Sequence, residues 1–478
     1  MATELASRES RIKGIEQHSY DFIPLSERHG KAWAQAPFWF AGGAGLLSAT
    51  IGFIGPSLGL NLTWSVLAVF LGMAFGTIFM ALHANQGPRL GIPQMIQSRA
   101  QFGRQGAVIP LTLAVLVYIV LLVFTSVYGR TLFNDLFKVN VGSWFYPPFI
   151  ALVVVIAVVG HDVVHFFNRW AGYLSVAVFV VMNILLVTYA GAHKVFPAAG
   201  SGFSWTAFLV VFAAAAGYQL AYVVYTSDYT RYLPQDVSAP KLIGYVYAGA
   251  TLGPAWLACL GAVVASFIRS PDPFLSFQQI GNSEWSGFGT FLLAFELPVF
   301  VIGVSPVVYG AALDSITAVD SIRSVVPTRL LRVLFALGVG VIGTIVAIIL
   351  PGNLLTDFST ALSLMLYLLI PWTAVNLVDY YLVRKGKYAV AEILKRNGVY
   401  GQWNWRGVGA YALGIASMVP FYELSFYQGP AARALGGADI SFAVGIAVAA
   451  VSYYLLARGA FAHALEESPG ILDAEAPA

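Results

Sequence analysis

Twelve apolar runs divide this chain, and they constrain its fold more than any other feature. A helix needs about 20 apolar residues to cross a hydrocarbon core of about 30 Å. Inside that core no water satisfies the peptide groups, so each run must be helical. The runs lie at roughly 34–55, 62–83, 107–134, 146–160, 170–190, 203–227, 241–268, 287–312, 329–350, 357–382, 407–427 and 438–457. Only 10% of the residues are charged and 58% are hydrophobic, against about 25% charged in soluble proteins. The chain therefore reads as an all-α membrane protein with twelve transmembrane helices.

Lys and Arg set the orientation. With the N-terminus inside, about 21 of the 26 fall on the cytoplasmic side, including the stretch from Arg384 to Arg406. The turns Pro56–Asn61 and Pro351–Thr356 carry none and fall outside. The positive-inside rule selects this topology, with both termini cytoplasmic and the protein in the cell membrane. The organisation expected is a cytoplasmic segment at 1–33, a ten-helix core at 34–382, a loop and two further helices at 383–457, and a tail at 458–478. The single cysteine, Cys259, excludes an intrachain disulfide.

With this topology, spans 6–10 begin from the side opposite to spans 1–5, which is a five-plus-five inverted repeat with two helices appended. Glycine clusters fall in the first span of each half: Gly42, Gly43 and Gly45 in span 1, and Ala213–Gly217 followed by Tyr218 and Gln219 in span 6. Glycine weakens a helix and admits close approach. Paired breaks at matching places are the mark of secondary transporters, whose unwound backbone faces substrate and ion. The bland alternative is that these glycines serve close helix packing.

Longer motifs carry a family resemblance. They are Ile51–Pro56 with Gly59-Leu60-Asn61; the loop Arg89-Leu90-Gly91-Ile92-Pro93-Gln94 through Arg99 with Phe102-Gly103; Ser227-Asp228-Tyr229-Thr230-Arg231-Tyr232-Leu233-Pro234; Pro371-Trp372 with Asn376–Tyr381; and Tyr400–Gly407. Across nearly its whole length the chain resembles the purine/cytosine permease branch of the nucleobase–cation symporter-1 family. The resemblance implies a LeuT-type fold with broken helices 1 and 6. It also implies import of a nucleobase, hydantoin, allantoin or vitamin-like compound on a Na⁺ or H⁺ gradient by alternating access, with no other cofactor.

Similar family members hold the base between an aromatic on span 3 and one on span 6, which places Tyr118 and Tyr218 here as the sandwich. Gln219, Gly217 and Gly43 complete the expected substrate site, together with Ser305. Relatives carry Asn-Asn-x-Pro-Asn-x-Tyr on span 8, where this chain reads Gly303-Val304-Ser305-Pro306-Val307-Val308-Tyr309. The amides that would read a base edge are gone, which favours a different heterocycle from cytosine and the common purines. For the cation, LeuT-type sites join carbonyls of span 1, here Gly42 and Gly45, to hydroxyls of span 8. Ser305 is the one such hydroxyl between Phe295 and Tyr309. Glu296 lies in the same span, and an ionisable residue there is a functional hypothesis; a buried carboxyl group suits a proton carrier.

His161 and His165 have helical metal-site spacing but no further ligands, and read as a structural link. Asp228, Arg231 and Asp379 are expected in a cytoplasmic salt-bridge network, and Asp314 and Asp320 at the end of span 8. No phosphate-binding loop and no catalytic cluster lies in the spans, so the chain is not read as an enzyme. A receptor that binds without accumulating remains the reading from another class. The partners expected are a small molecule and the lipid bilayer, with no nucleic acid and no second subunit.

Overall fold

Helices satisfy the chain's peptide groups almost throughout. The structure, a computed structural model, describes residues 22–159, 161–195, 202–268, 270–326, 328–350 and 354–467. Among these, nine helices are long and apolar enough to cross a membrane: Leu62–Leu90, Val108–Phe137, Trp170–Ala192, Trp205–Thr230, Ala239–Phe267, Phe288–Ile322, Arg329–Ile349, Leu355–Val383 and Ser441–Gly459. A tenth span is the pair Ala32–Gly43 and Leu46–Ser57, bent by 69° at the break between them. The runs expected as spans 4 and 11 form the shorter helices Tyr146–Val159 and Trp405–Met418, of 14 residues each. At 1.5 Å per residue they reach about 21 Å. In chain order these elements are spans 1 to 12. The link expected between spans 4 and 5 is helical from His161; the side chains of His161 and His165 lie outside the described residues, as do segments 1–21 and 468–478.

Apolar side chains fill the interior and also cover the outside. Leu67, Phe70, Leu71 and Ile78 of span 2 are exposed, as lipid requires, while glycines set the closest contacts between helices. Lipid tails supply no hydrophobic drive between helices, so close backbone packing must do it. Span 7 shows how. A Cβ at Gly249, Gly253 or Gly261 would stand 2.2, 2.2 and 1.9 Å from the carbonyl oxygens of Ala36, Phe40 and Ala49. Span 7 thus runs as a rail along both halves of span 1. Span 2 meets span 6 the same way, through Gly72 and Gly76 against Phe212 and Ala216.

Two groups of helices result. Spans 1, 2, 6 and 7 pack together, and spans 3, 4, 8 and 9 form a second group around the long contact between spans 3 and 8. Each group takes two spans from each half of the chain, as an inverted repeat demands. Because the obstacle to a side chain at position 261 is rigid backbone, Gly261→Val is expected to destabilise the protein by about 1–3 kcal/mol. Thermal unfolding of the detergent-solubilised protein measures this.

The two breaks differ. In span 1, Ala44 (φ −86, ψ 71) and Gly45 (φ −135, ψ 166) leave helical geometry. In span 6 the expected break at Gly217 is absent: Trp205–Leu220 is continuous helix through Gly217, Tyr218 and Gln219. The irregularity falls later, at Ala221–Tyr222, followed by the tight turn Val223–Tyr225 and the short helix Thr226–Thr230. Gly217 serves packing instead, since a Cβ there would lie 2.0 Å from the Leu362 carbonyl oxygen of span 10.

Candidate substrate and cation site

The helix irregularity after Leu220 places tyrosines 218, 222, 225 and 229 around the break of span 1. Their spacing of i, i+4, i+7 and i+11 is that of one helix face. Tyr225 stacks on Tyr118 of span 3 with ring centres 5.9 Å apart and planes 26° apart. Tyr222 meets Tyr218 edge-on at 5.5 Å and Tyr225 at 5.7 Å. Trp39, in the first half of span 1, contacts Tyr222 at 6.2 Å, Tyr225 at 6.4 Å and Tyr229 at 5.4 Å. The result is an aromatic box contributed by spans 1, 3 and 6. Tyr118 and Tyr218 both belong to it, but Tyr118 stacks on Tyr225, so the two do not form a simple sandwich. Sequence reasoning missed Trp39, Tyr222, Tyr225 and Tyr229, although the tyrosine spacing was there to be read.

Hydroxyl groups tie the box to the break. The Tyr218 hydroxyl lies 2.9 Å from both the Tyr222 and Ser48 hydroxyls. Ser48 in turn donates to the Gly43 carbonyl at 2.7 Å. Gly43 itself is a packing position, with a Cβ there 2.3 Å from Cγ of Pro254. A Cβ at Gly42 or Gly45 would meet nothing within 4 Å, so these two glycines leave room at the break. Gln219 turns elsewhere: its amide donates to the Ala250 carbonyl of span 7 at 2.6 Å, and its Oε1 is buried without a hydrogen-bond partner.

On span 8, Pro306 has no N–H to offer the carbonyl four residues back. That carbonyl, Ile302, takes the Ser305 hydroxyl instead at 2.8 Å, which accounts for where the serine's proton points. Glu296, three turns toward the other end of the span, is fully buried. Its Oε2 accepts from the Leu46 N–H at 3.3 Å. Leu46 opens the second half of span 1, so the carboxylate stands at a helix N-terminus, where unsatisfied N–H groups and the helix dipole favour negative charge.

A buried polar layer closes the end of the bundle beyond the box. His83 lies 2.8 Å from the Thr373 hydroxyl and 3.0 Å from the Gln94 amide, and its ring stacks on Trp372. Gln94 also accepts from Ser227 at 2.6 Å, and its backbone N–H donates to Asp228 at 2.7 Å. Asp379 sits in a π-helical turn at the end of span 10 and accepts from Arg384, Gln101, Tyr388 and Tyr453. Asp320 holds Arg99 and Arg104 at 2.9 and 2.7 Å.

A split helix 1 opposed by an aromatic face, inside a bundle built from two inverted halves, defines a secondary transporter. A family model described as permease for cytosine/purines, uracil, thiamine and allantoin matches residues 22–445. The chain belongs to that family. YxlA of Bacillus subtilis, whose name assigns it provisionally to the purine-cytosine permeases, is 36% identical over 449 residues, covering 93% of this chain and 96% of that protein. The purine-cytosine permease fcyB of Emericella nidulans is 26% identical, with 92% and 88% covered. Among solved structures, Mhp1, a nucleobase-cation-symport-1 family transporter in a closed conformation with bromovinylhydantoin bound, matches with a TM-score of 0.74 at 18% identity, covering 97% of this chain and 98% of that one. That last likeness bears on the fold.

Proposed function

We propose that the protein imports a flat nitrogen heterocycle of the nucleobase type into the cell together with a proton carried by Glu296. The observation that carries the reading is the aromatic box at the break of span 1. Flat rings stack on aromatic faces, and a pocket of this kind needs only a few polar groups to orient its ligand. The Tyr218, Tyr222 and Ser48 hydroxyls supply them, each able to donate or accept.

Two features support a proton over Na⁺. Na⁺ is a hard ion that needs several oxygen ligands, and Ser305 is the one hydroxyl side chain that span 8 offers between Phe295 and Val308. Glu296 bridges span 8 to the second half of span 1. Losing or gaining a proton there changes whether that carboxyl group can hold the half-helix by its N–H. Gly303, Val304 and Val307, standing where relatives carry amides, favour a heterocycle other than cytosine or a common purine. In the membrane both termini face the cytoplasm, and the layer around Asp379 and Asp320 is the inner closure.

Counterflow in proteoliposomes tests the reading, with labelled hypoxanthine and cytosine outside and a heterocycle panel inside. Exchange of any member supports it; exchange of none, in vesicles holding folded protein, removes it. Base–aromatic stacking is worth about 1–3 kcal/mol. Tyr225→Ala is therefore expected to weaken substrate affinity by about 5- to 150-fold, and Tyr225→Phe to restore most of it. Equal affinity in all three proteins would place the ring outside the site.

A further inference from the structure

Asp314 occupies a position that its sequence context misplaces. It does not cap the end of span 8 but lies inside Phe288–Ile322, eight residues before the last turn ends. It follows Gly310 by one helical turn, on the same face of the helix. At Gly310 the missing side chain is replaced by Tyr118, whose hydroxyl and Cζ lie 3.1 Å from where a Cβ would stand. Tyr118 is the ring that stacks on Tyr225. Asp314 is therefore set one helical turn from the Tyr118 ring at the floor of the aromatic box.

The carboxylates around it are all engaged. Asp228 accepts from the Gln94 N–H, Asp320 from two arginines, and Asp379 from four side chains. Asp314 has no hydrogen bond and no ion pair among the described residues, and its Oδ2 is sealed from solvent. The residue as a whole is half-buried. An unpaired carboxylate at this depth is costly to the fold, and such residues mark substrate or ion pathways. When ionised, this carboxylate accepts hydrogen bonds only, so a cation or an N–H donor would complete it, and a charged donor would hold it ionised against the cost of burial. The face of Tyr118 attracts cations as well.

We propose that Asp314, beside Tyr118 of the aromatic box, makes the site selective for a flat heterocycle bearing a positive charge or a protonated ring nitrogen. This rests on the transporter reading above and names the substrate class within it.

Calorimetric titration of the full chain in nanodiscs tests it with matched rings: benzamidine against benzamide, and N1-methylnicotinamide against nicotinamide. The cationic member of each pair is expected to bind at least about tenfold more tightly, the range of a hydrogen bond to a charged group. Asp314→Asn should remove most of that preference, and Asp314→Glu should keep it. Equal affinity within both pairs for the unaltered protein overturns the inference, and that comparison needs no variant to fold. A preference that survives in Asp314→Asn overturns it too. So does an Asp314→Asn protein that keeps the preference in exchange but loses accumulation, which would move Asp314 to the coupling step. Counterflow run alongside separates the failures. Exchange of hypoxanthine or cytosine without charge preference leaves the transporter reading standing, whereas no exchange of any ring removes that reading itself.

Discussion

Glu296→Gln is expected to leave substrate exchange intact and to abolish accumulation against a gradient. Glutamine keeps the size of the side chain and an oxygen for the Leu46 N–H, so the second half of span 1 stays anchored. What it cannot do is take up and release a proton. One co-transported charge is worth about 2.3 kcal/mol per 100 mV. For a neutral probe such as hypoxanthine that sustains an accumulation ratio of about fifty-fold, and the ratio should fall to about one in the variant. Uptake into vesicles under an imposed proton gradient and potential measures it, with counterflow as the control for a working site. Undiminished accumulation would remove Glu296 from the coupling step and return attention to the carbonyls beside Gly42 and Gly45.

Asp379→Ala is expected to be the most damaging single change to stability. The carboxylate is fully buried and joins four segments: Gln101 after span 2, Arg384 at the end of span 10, Tyr388 in the following loop and Tyr453 of span 12. Removing it leaves the Arg384 charge in a site where only 14% of its side chain is exposed. Breaking a buried ion pair from one side costs about 3–5 kcal/mol. Asp379→Asn should cost less, because the amide retains an acceptor for the tyrosines. Thermal unfolding in detergent ranks the two, and an alanine variant as stable as the parent would show that the cluster carries no stability.

The glycine positions show where reading the chain by itself succeeds. Gly42 and Gly45 lie at a break with open space around them, as their clustering in span 1 implies. Gly217 has the same local signature, but it packs on the Leu362 carbonyl. Nothing near residue 217 in the sequence names Leu362, which is contributed by another helix. Glu296 is legible in the sequence because a carboxyl group in an apolar run is costly wherever it lies. Asp314 reads as an end-of-span residue because the apolar run ends near residue 312, whereas the helix continues to Ile322.

Hydrophobic length, charge asymmetry and extended motifs determined that this is a multi-pass helical transporter of the permease family, since bilayer thickness and unsatisfied peptide groups act on each segment separately. The tertiary structure alone decided which aromatic rings meet, which glycines pack and which open, and which carboxylates are paired. Those outcomes depend on helices from distant parts of the chain being brought within a few ångströms, and no local periodicity encodes that distance.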